Sequence, residues 1–311
     1  MPVQGNRGGA AGPPAVTVVV VTWQAVDLLA ECLDSLAGQT LAHEVIVVDN
    51  ASTDGTAEFL ARRPTVRVVH NRTNRGFAGG VADGLREVRT PYAALLNNDA
   101  VAEPGWLAAL TAELEAHPEA AAVTSRMLLA GVTPPTINNA GVDLRDDGYG
   151  ADRGLGEPSG NYDEPAEVFG FSGGAALVRM DALRQVGGFP ERFFLYYEDT
   201  DTSWRLRRAG WSIRYAPGAV VHHRHAASSD PGSRRFAYVT ERNRLLMHVR
   251  CAPLRRAAVV WWRFLLTTGS LAARRLTGSP RPPAHQQRLG LRLHVLAGAL
   301  RLLPWALRTR S

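Results

Sequence analysis

The sequence predicts an α/β protein: a mainly parallel sheet between helices, followed by a basic, helical C-terminal extension. Three observations carry this. From Val16 onward, short β-branched runs alternate with longer stretches whose apolar residues recur at helical spacing. The β-branched runs are almost continuously apolar, as strands buried on both faces are, and they end in small polar residues. The charge is also split. Residues 1–230 hold 19 arginines against 28 carboxylates, net −9, whereas residues 231–311 hold 16 arginines against the single Glu241, net +15.

In order, Val16–Thr22 (VTVVVVT) reads as a buried strand and Asp27–Gln39 as a helix, with Leu28, Leu29, Cys32, Leu33 and Leu36 spaced for one face. Val45–Asp49 is a second strand, followed by a turn and a short helix, Thr56–Arg63, with Asp54 as candidate cap. Val66–His70 and Ala93–Asn97 read as strands, and Val81–Val88 and Trp106–Ala116 as helices. Such repetition implies a parallel sheet with helices on both faces, whose ligands bind beyond the carboxyl ends of the strands. Thr133–Glu167, rich in Gly, Pro, Asp and Asn, reads as a long loop of the kind that usually serves function. Order returns at Val168–Arg179, with helices at Met180–Val186 and Thr202–Ala209 and strand-like runs at Ser212–Pro217 and Ala219–His223. Beyond Arg234 the chain reads as helices broken at Pro253, Gly278–Pro283 and Pro304. The expected organisation is a disordered leader over 1–15, a folded body over 16–230 and a basic helical region over 231–311.

Composition narrows the classes. With 45% apolar and 21% charged residues, the chain can bury a full core. Two cysteines, Cys32 and Cys251, exclude a disulfide scaffold or a Cys-rich metal module and fit a reducing, cytoplasmic setting. Met1–Ala15 lacks the apolar core of a signal peptide. Val16–Val21 is too short to span a bilayer, and Arg263 interrupts Ala258–Ala273. An acidic body with one basic end is not a nucleic-acid binder; it points to an anionic surface met by that end. Trp261 and Trp262 beside Arg255, Arg256 and Arg263 have the mixed character of a membrane-surface helix, predicting peripheral contact at the inner face of the cell membrane. The plainer reading, helices packed on the body or between two copies, leaves the net +15 unexplained.

The strand ends hold the chemistry. Asp49, at the tip of VIVVD before NASTDGT, can accept hydrogen bonds from a ribose or a base, although by itself a helix-capping role fits it better. Asn74–Gly80 (NRGFAGG) is a glycine-rich turn entering a helix, suited equally to phosphate binding and to close helix packing. LLNNDA (Leu95–Ala100) puts Asn97, Asn98 and Asp99 at a strand end, where a carboxylate can hold a divalent cation or merely form a turn. FFLYYEDTDTSWRLRRAGW (Phe193–Trp211) places Glu198, Asp199 and Asp201 after an aromatic run. Mutual repulsion and partial burial should raise at least one of their pKa values, which suits a general base better than a solvated helix start. His222 and His223 follow a strand, a normal position for a cation ligand, although an isolated His pair is more often a satisfied structural feature.

Together these clusters, with VVVVTW, CLDSLAGQT, GFSGGAALVR and VVHHRHAASS, resemble the inverting nucleotide-sugar glycosyltransferases of family 2, with the GT-A fold, from about Val16 to Ser228. The texture is most similar to bacterial rhamnosyltransferases. The resemblance implies that Asp49 reads the nucleotide base with Thr22 nearby, and that Asn74, Gly76, Asn97 and Asn98 flank the donor. It implies Mg²⁺ or Mn²⁺ on Asp99, the last position of the family's Asp-x-Asp motif, with His223 as a further ligand and Ser228 five residues beyond. Asp199 would be the catalytic base, Glu198 beside it would position the acceptor, and Gly173, Gly174 and Trp204 would frame the acceptor. The sequence departs from the family at three places: Asn97 replaces the first Asp of the metal motif, Gln24 stands where Asn is common, and Asp83 stands where many members have Asn.

The reaction so implied moves a sugar, rhamnose from dTDP-rhamnose as best fit, onto a hydroxyl of a cell-surface glycan or lipid-linked acceptor. A base takes the hydroxyl proton while the leaving diphosphate's charge is neutralised. The alternative is a catalytically inactive nucleotide-sugar-binding scaffold, favoured by Asn97 and disfavoured by Asp99, Asp199 and His223. A nicotinamide-dependent oxidoreductase would need GxGxxG at the first strand–helix turn, and a nucleotidyltransferase a basic glycine loop there; TWQAVD is neither.

Overall fold

The computed structural model describes residues 14–224, 232–277 and 288–310. Most of the leader, Ser228 and the Gly278–Pro283 break lie outside the described residues. In the first half β1 (Val16–Thr22), β2 (His43–Asp49), β3 (Val66–His70) and β4 (Tyr92–Asn97) alternate with α1 (Val26–Ala37), α2 (Thr56–Ala61) and α3 (Gly76–Glu87). A short β5 (Ala100–Ala102) and α4 (Trp106–Ala116) lead to β6 (Ala120–Leu129), β7 (Ile137–Asn139), β8 (Val142–Leu144), β9 (Gly150–Asp152) and β10 (Ala166–Glu167). Then come β11 (Ala175–Arg179), α5 (Met180–Gln185), α6 (Glu198–Arg208) and β12 (Ser212–His223). Helices α7 (Arg234–Cys251), α8 (Leu254–Leu276) and α9 (Leu289–Arg308) close the chain.

The main sheet runs β10-β12-β6-β11-β4-β1-β2-β3, with β5 on β12 and β7 on β6. β1 pairs in parallel with β2 and β4, so Thr22 stands opposite Asp49 and Val21 opposite Asn97. Every residue of β1 is buried. Val16, Val18 and Val20 enter the core on one face, Val19 and Val21 that on the other, as strand alternation requires.

The central sheet is mostly parallel, as expected, with β11 antiparallel between β4 and β6. The structure corrects other expectations. β6, ten residues long, had no strand reading: AAAVTSRMLL is half small residues and depends on its neighbours for its extended form. Thr133–Glu167 is not all loop; it contributes β7 to the main sheet and forms the β8–β9 hairpin. The two runs at Ser212–His223 form one strand.

Helices α3 and α6 start earlier than their periodicity suggests. In α3 the glycines are packing devices: a Cβ on Gly80 would lie 2.6 Å from Val21 Cγ1, and one on Gly84 2.5 Å from Val19 Cγ1. The helix therefore sits closer to β1 than alanines would permit. α6 begins at Glu198, so the acidic residues form its first turn, where the helix dipole favours them. Pro304 lies inside α9 instead of ending a helix.

The C-terminal helices pack on the body through a buried ion cluster. Asp201 Oδ1 accepts from Arg205 Nε at 2.7 Å, and its Oδ2 from Arg250 Nε of α7, also at 2.7 Å. Burial works against the Asp201 charge, but the two guanidiniums outweigh it and hold the carboxyl below its ordinary range. Asp201 is thus a structural anchor and stands apart from the acidic pair that precedes it. Among the described residues no helix is long and apolar enough to cross a membrane.

Candidate active site

A cavity of about 760 Å³ opens at the carboxyl ends of β1 and β4, and α6, α7 and the β8–β9 hairpin complete its wall. Thr22, Asn74, Gly76, Asn97, Asn98, Asp99, Gly173, Gly174, Glu198, Asp199 and His223 all line it. Two expected residues do not. Asp49 is buried beside Thr22, its Oδ1 accepting from Ser52 N–H at 2.9 Å within the turn. Trp204 faces away, packed edge-on against Phe169 and His248. His222 also lies outside, half-buried and paired with Glu103.

One cluster centres on His223. The β5–β12 pairing sets His223 opposite Ala100, which brings its ring beside Asp99. Nε2 lies 3.0 Å from Asp99 Oδ1 and 3.2 Å from Asn97 Nδ2, and Nδ1 lies 2.7 Å from Asn138 Oδ1. When Nδ1 carries the ring proton and donates it to Asn138, Nε2 and the Asp99 carboxylate are two acceptors facing each other. A cation relieves that arrangement. Among the described residues no group of three or more His, Cys, Asp and Glu forms a metal cage. As a donor set the pair could contribute two ligands to a Mg²⁺-like ion that completes its shell with other oxygens.

The other cluster is the start of α6. Asp199 Oδ2 accepts from Gly173 N–H at 3.0 Å, and Oδ1 accepts from Thr200 N–H at 2.6 Å and Thr200 Oγ1 at 3.1 Å. Burial pushes the Asp199 carboxyl up, and these hydrogen bonds only partly offset it. Burial and the neighbouring Asp199 charge push Glu198 well above the usual carboxylate range, and its buried Oε2 has no hydrogen-bond partner. Gly173 and Gly174 tie the clusters together: Gly173 N–H holds Asp199, while Gly174 C=O accepts from Asn97 N–H at 2.9 Å.

The run into α6 is strained. Phe194, Tyr196 and Tyr197 have φ of 69°, 67° and 70°, in the left-handed region that bulky residues avoid. Asn243 of α7, wholly buried, holds this run: its Nδ2 lies 2.9, 2.8 and 2.8 Å from the carbonyls of Phe193, Leu195 and Tyr196, which share its two N–H donors.

The glycine turn behaves differently from a phosphate loop. Gly76 N–H donates to Asn74 Oδ1 at 2.7 Å and Ala78 N–H to the Phe194 carbonyl at 3.1 Å, so two of its amides are already engaged. Gln24 is bonded to Thr53, and Asp83 to Asn71, Arg75 and Arg86, so both atypical residues have local structural work. Sequence reasoning missed Asn138, Tyr149 and Asp152, which reach the cavity from the supposed loop, and Arg235 and Phe236 of α7. The polar pair Asn138-Asn139, ahead of Ala140-Gly141, is the available signal for the first.

The description "Glycosyl transferase family 2" belongs to the family whose sequence profile matches residues 17–187. The chain belongs to glycosyltransferase family 2. This glycosyltransferase is 32% identical over 250 residues to the N-acetylglucosaminyl-diphospho-decaprenol L-rhamnosyltransferase of Mycobacterium tuberculosis, covering 71% of this chain and 80% of that one. It is 30% identical to the pre-mycofactocin glycosyltransferase of the same species, over 68% of this chain and 43% of that one. In fold it is similar to GalNAc-T7 with UDP, GalNAc and Mn²⁺, with a TM-score of 0.63, 16% identity, and coverage of 77% of this chain and 48% of that one. It is also similar to a mannosyltransferase of Pyrobaculum calidifontis in complex with GDP-Man and Mn²⁺, with a TM-score of 0.55, 20% identity, and coverage of 94% and 88%. The GT-A architecture expected from the sequence is thus the architecture found. The profile ends before Glu198, so the acidic turn, His223 and α7 complete the glycosyltransferase's cavity from outside the matched segment.

The buried Glu198 has a measurable cost. In the unfolded chain its carboxyl ionises at the ordinary value, whereas the folded chain retains the proton to higher pH. Between those two values the folded state binds more protons, so stability falls as pH rises. Glu198→Gln lacks this titration. Its melting temperature relative to wild type is therefore expected to rise as pH goes from about 5 to about 8, read by calorimetry at several pH values. A constant difference would mean that Glu198 ionises freely in the fold.

Proposed function

We propose that this glycosyltransferase is inverting and divalent-metal-dependent, and that it moves rhamnose from dTDP-rhamnose to a hydroxyl of a lipid-linked acceptor. The acceptor would be met at the inner face of the cell membrane through the basic region over 231–311, whose α7 also completes the cavity of the catalytic unit over 16–230. The observation that carries the chemistry is the Gly173–Gly174 turn, which links Asp199 to the Asn97–Asp99–His223 cluster within one cavity. The sugar and acceptor class rest on the mycobacterial rhamnosyltransferase, whose name gives a diphospho-decaprenol acceptor.

Asp199 accepts the acceptor hydroxyl's proton through an oxygen already fixed by Gly173 N–H or Thr200. Its burial raises the carboxyl's proton affinity, which makes it a better base for an alcohol. The acceptor oxygen forms a bond to the anomeric carbon as the bond from that carbon to the diphosphate breaks. The nucleoside diphosphate leaves from the opposite face, so the configuration inverts and no covalent enzyme intermediate is needed. Asp99 and His223 would hold Mg²⁺ or Mn²⁺, which when bound neutralises the leaving diphosphate's charge. Asn98 Nδ2 donates to Thr22 Oγ1 at 3.1 Å, fixing the polar floor of the donor side.

The test is nucleoside diphosphate release from dTDP-rhamnose, UDP-sugars and GDP-mannose, each with Mg²⁺, Mn²⁺ or EDTA. Slow hydrolysis of dTDP-rhamnose, lost with EDTA, is the expected result. Release from a UDP- or GDP-sugar alone would replace the donor. Release unaffected by EDTA would remove the metal, and tight nucleotide binding without turnover, even with acceptor lipid, would favour a binding scaffold.

A further inference from the structure

We propose that the outer face of α8 is a docking surface for an anionic lipid bilayer, which deepens the lipid-linked acceptor reading and rests on it for its effect on turnover. Five large apolar side chains of α8 face solvent: Leu254, Val259, Trp262, Leu265 and Leu266, with Leu254 68% and Trp262 61% exposed. At 100° per residue they fall within an arc of about 140°. The opposite side, with Val260, Phe264 and Thr268, is buried against the protein. Arg263 and Arg274 lie together along one border of the apolar arc, Arg256 is half-buried beside them, and Arg255 projects within it. No acidic residue follows Glu241 anywhere in the sequence, so nothing on this helix offsets the guanidiniums. An apolar strip with an arginine border and no carboxylates complements a negatively charged headgroup layer over hydrocarbon. Helix α9 repeats the pattern, exposing Leu293, Leu300 and Leu307 two turns apart beside Arg301 and Arg308.

Its position relates this face to the cavity. Arg256 of α8 donates to the Arg145 carbonyl at 3.1 Å, and Val260 packs where a Cβ on Gly148 would lie 3.2 Å from its Cγ2. Residues 145–148 form the turn of the β8–β9 hairpin, and the next residues, Tyr149 and Gly150, line the cavity. The docking helix thus contacts the β8–β9 hairpin that forms part of the cavity wall.

The full-length protein, with and without the paired changes Trp262→Glu and Leu266→Glu, would be sedimented with vesicles of phosphatidylcholine alone or mixed with phosphatidylglycerol. Wild type is expected to bind only the phosphatidylglycerol vesicles, more weakly as salt rises, and the double variant to bind them at least about tenfold less. Donor hydrolysis in solution should be equal in both proteins. The proposal is overturned if the double variant binds as wild type does, or if wild type does not bind. It is also overturned if sedimentation velocity finds a wild-type dimer that the changes dissociate, since the face would then join two copies. Absence of donor hydrolysis in wild type would count against the transferase chemistry alone, because the vesicle result is read independently of it.

Discussion

Replacing Asp199 by Asn is expected to lower turnover by about a thousandfold, with donor affinity nearly unchanged. Asparagine has the same shape, and its single carbonyl oxygen can keep the Gly173 N–H contact that Asp199 Oδ2 makes at 3.0 Å. It cannot take a proton from an alcohol. The loss therefore belongs to the chemical step, and initial rates combined with donor calorimetry separate it from binding. The pH profile carries the same assignment. Burial, reinforced by the Asp152 charge and partly offset by Gly173 and Thr200, raises the Asp199 carboxyl above its ordinary value. The base must be ionised, so kcat/KM should fall as pH drops through that raised value. Asp152→Asn removes one source of the rise and should move the acid limb to lower pH. A variant Asp199→Asn that keeps its rate within about tenfold would take the base away from Asp199.

How much of this site is legible in the sequence depends on how local its causes are. β1 and β2 are read correctly because strands buried on both faces become near-continuous valine runs, and their polar tips then stand out. Asp99, Asp199 and His223 can be picked out as cavity residues because each sits where such a run ends or a helix begins. β6 is missed because AAAVTSRMLL has no local preference; its extended form comes from pairing with β11 and β12. With β6 goes β7, and with β7 goes Asn138, whose contact with His223 spans 85 residues. Asp49 and Trp204, by contrast, do not line the cavity: Asp49 accepts from Ser52 N–H and Trp204 packs against Phe169 and His248. α7 has little amphipathic signal because Asn243, Arg244, His248 and Arg250 are all buried in it. Asn243, His248 and Arg250 bond to Phe193, Gly148 and Asp201 of the body, and no periodicity encodes those partners.

Asn243→Ala is expected to reduce kcat on the order of a hundredfold, the cost of a misplacement of about 1 Å at a reacting group, while the donor KM holds. Three residues just before Glu198 and Asp199 adopt φ near +70°, a conformation that costs about 1–3 kcal/mol each and persists only where surroundings enforce it. The Asn243 amide is the enforcing group, its two N–H donors shared among three carbonyls of that run, and Arg242 adds a bond to the Phe193 carbonyl at 2.7 Å. Without it the run relaxes and the first turn of α6 carries Asp199 with it. The Thr22–Asn98 floor, at the ends of β1 and β4, is held by its own hydrogen bond and stays in place, which is why binding and chemistry separate. Asn243→Asp keeps the shape but loses both N–H donors, and should lose at least as much. A role confined to stability would instead lower the folded fraction and leave kcat per folded molecule at the wild-type value, so rates normalised to a measured folded fraction decide between them. On this account α7 is part of the catalytic apparatus: it supplies no reacting group, yet it sets the position of the base from 44 residues further along the chain.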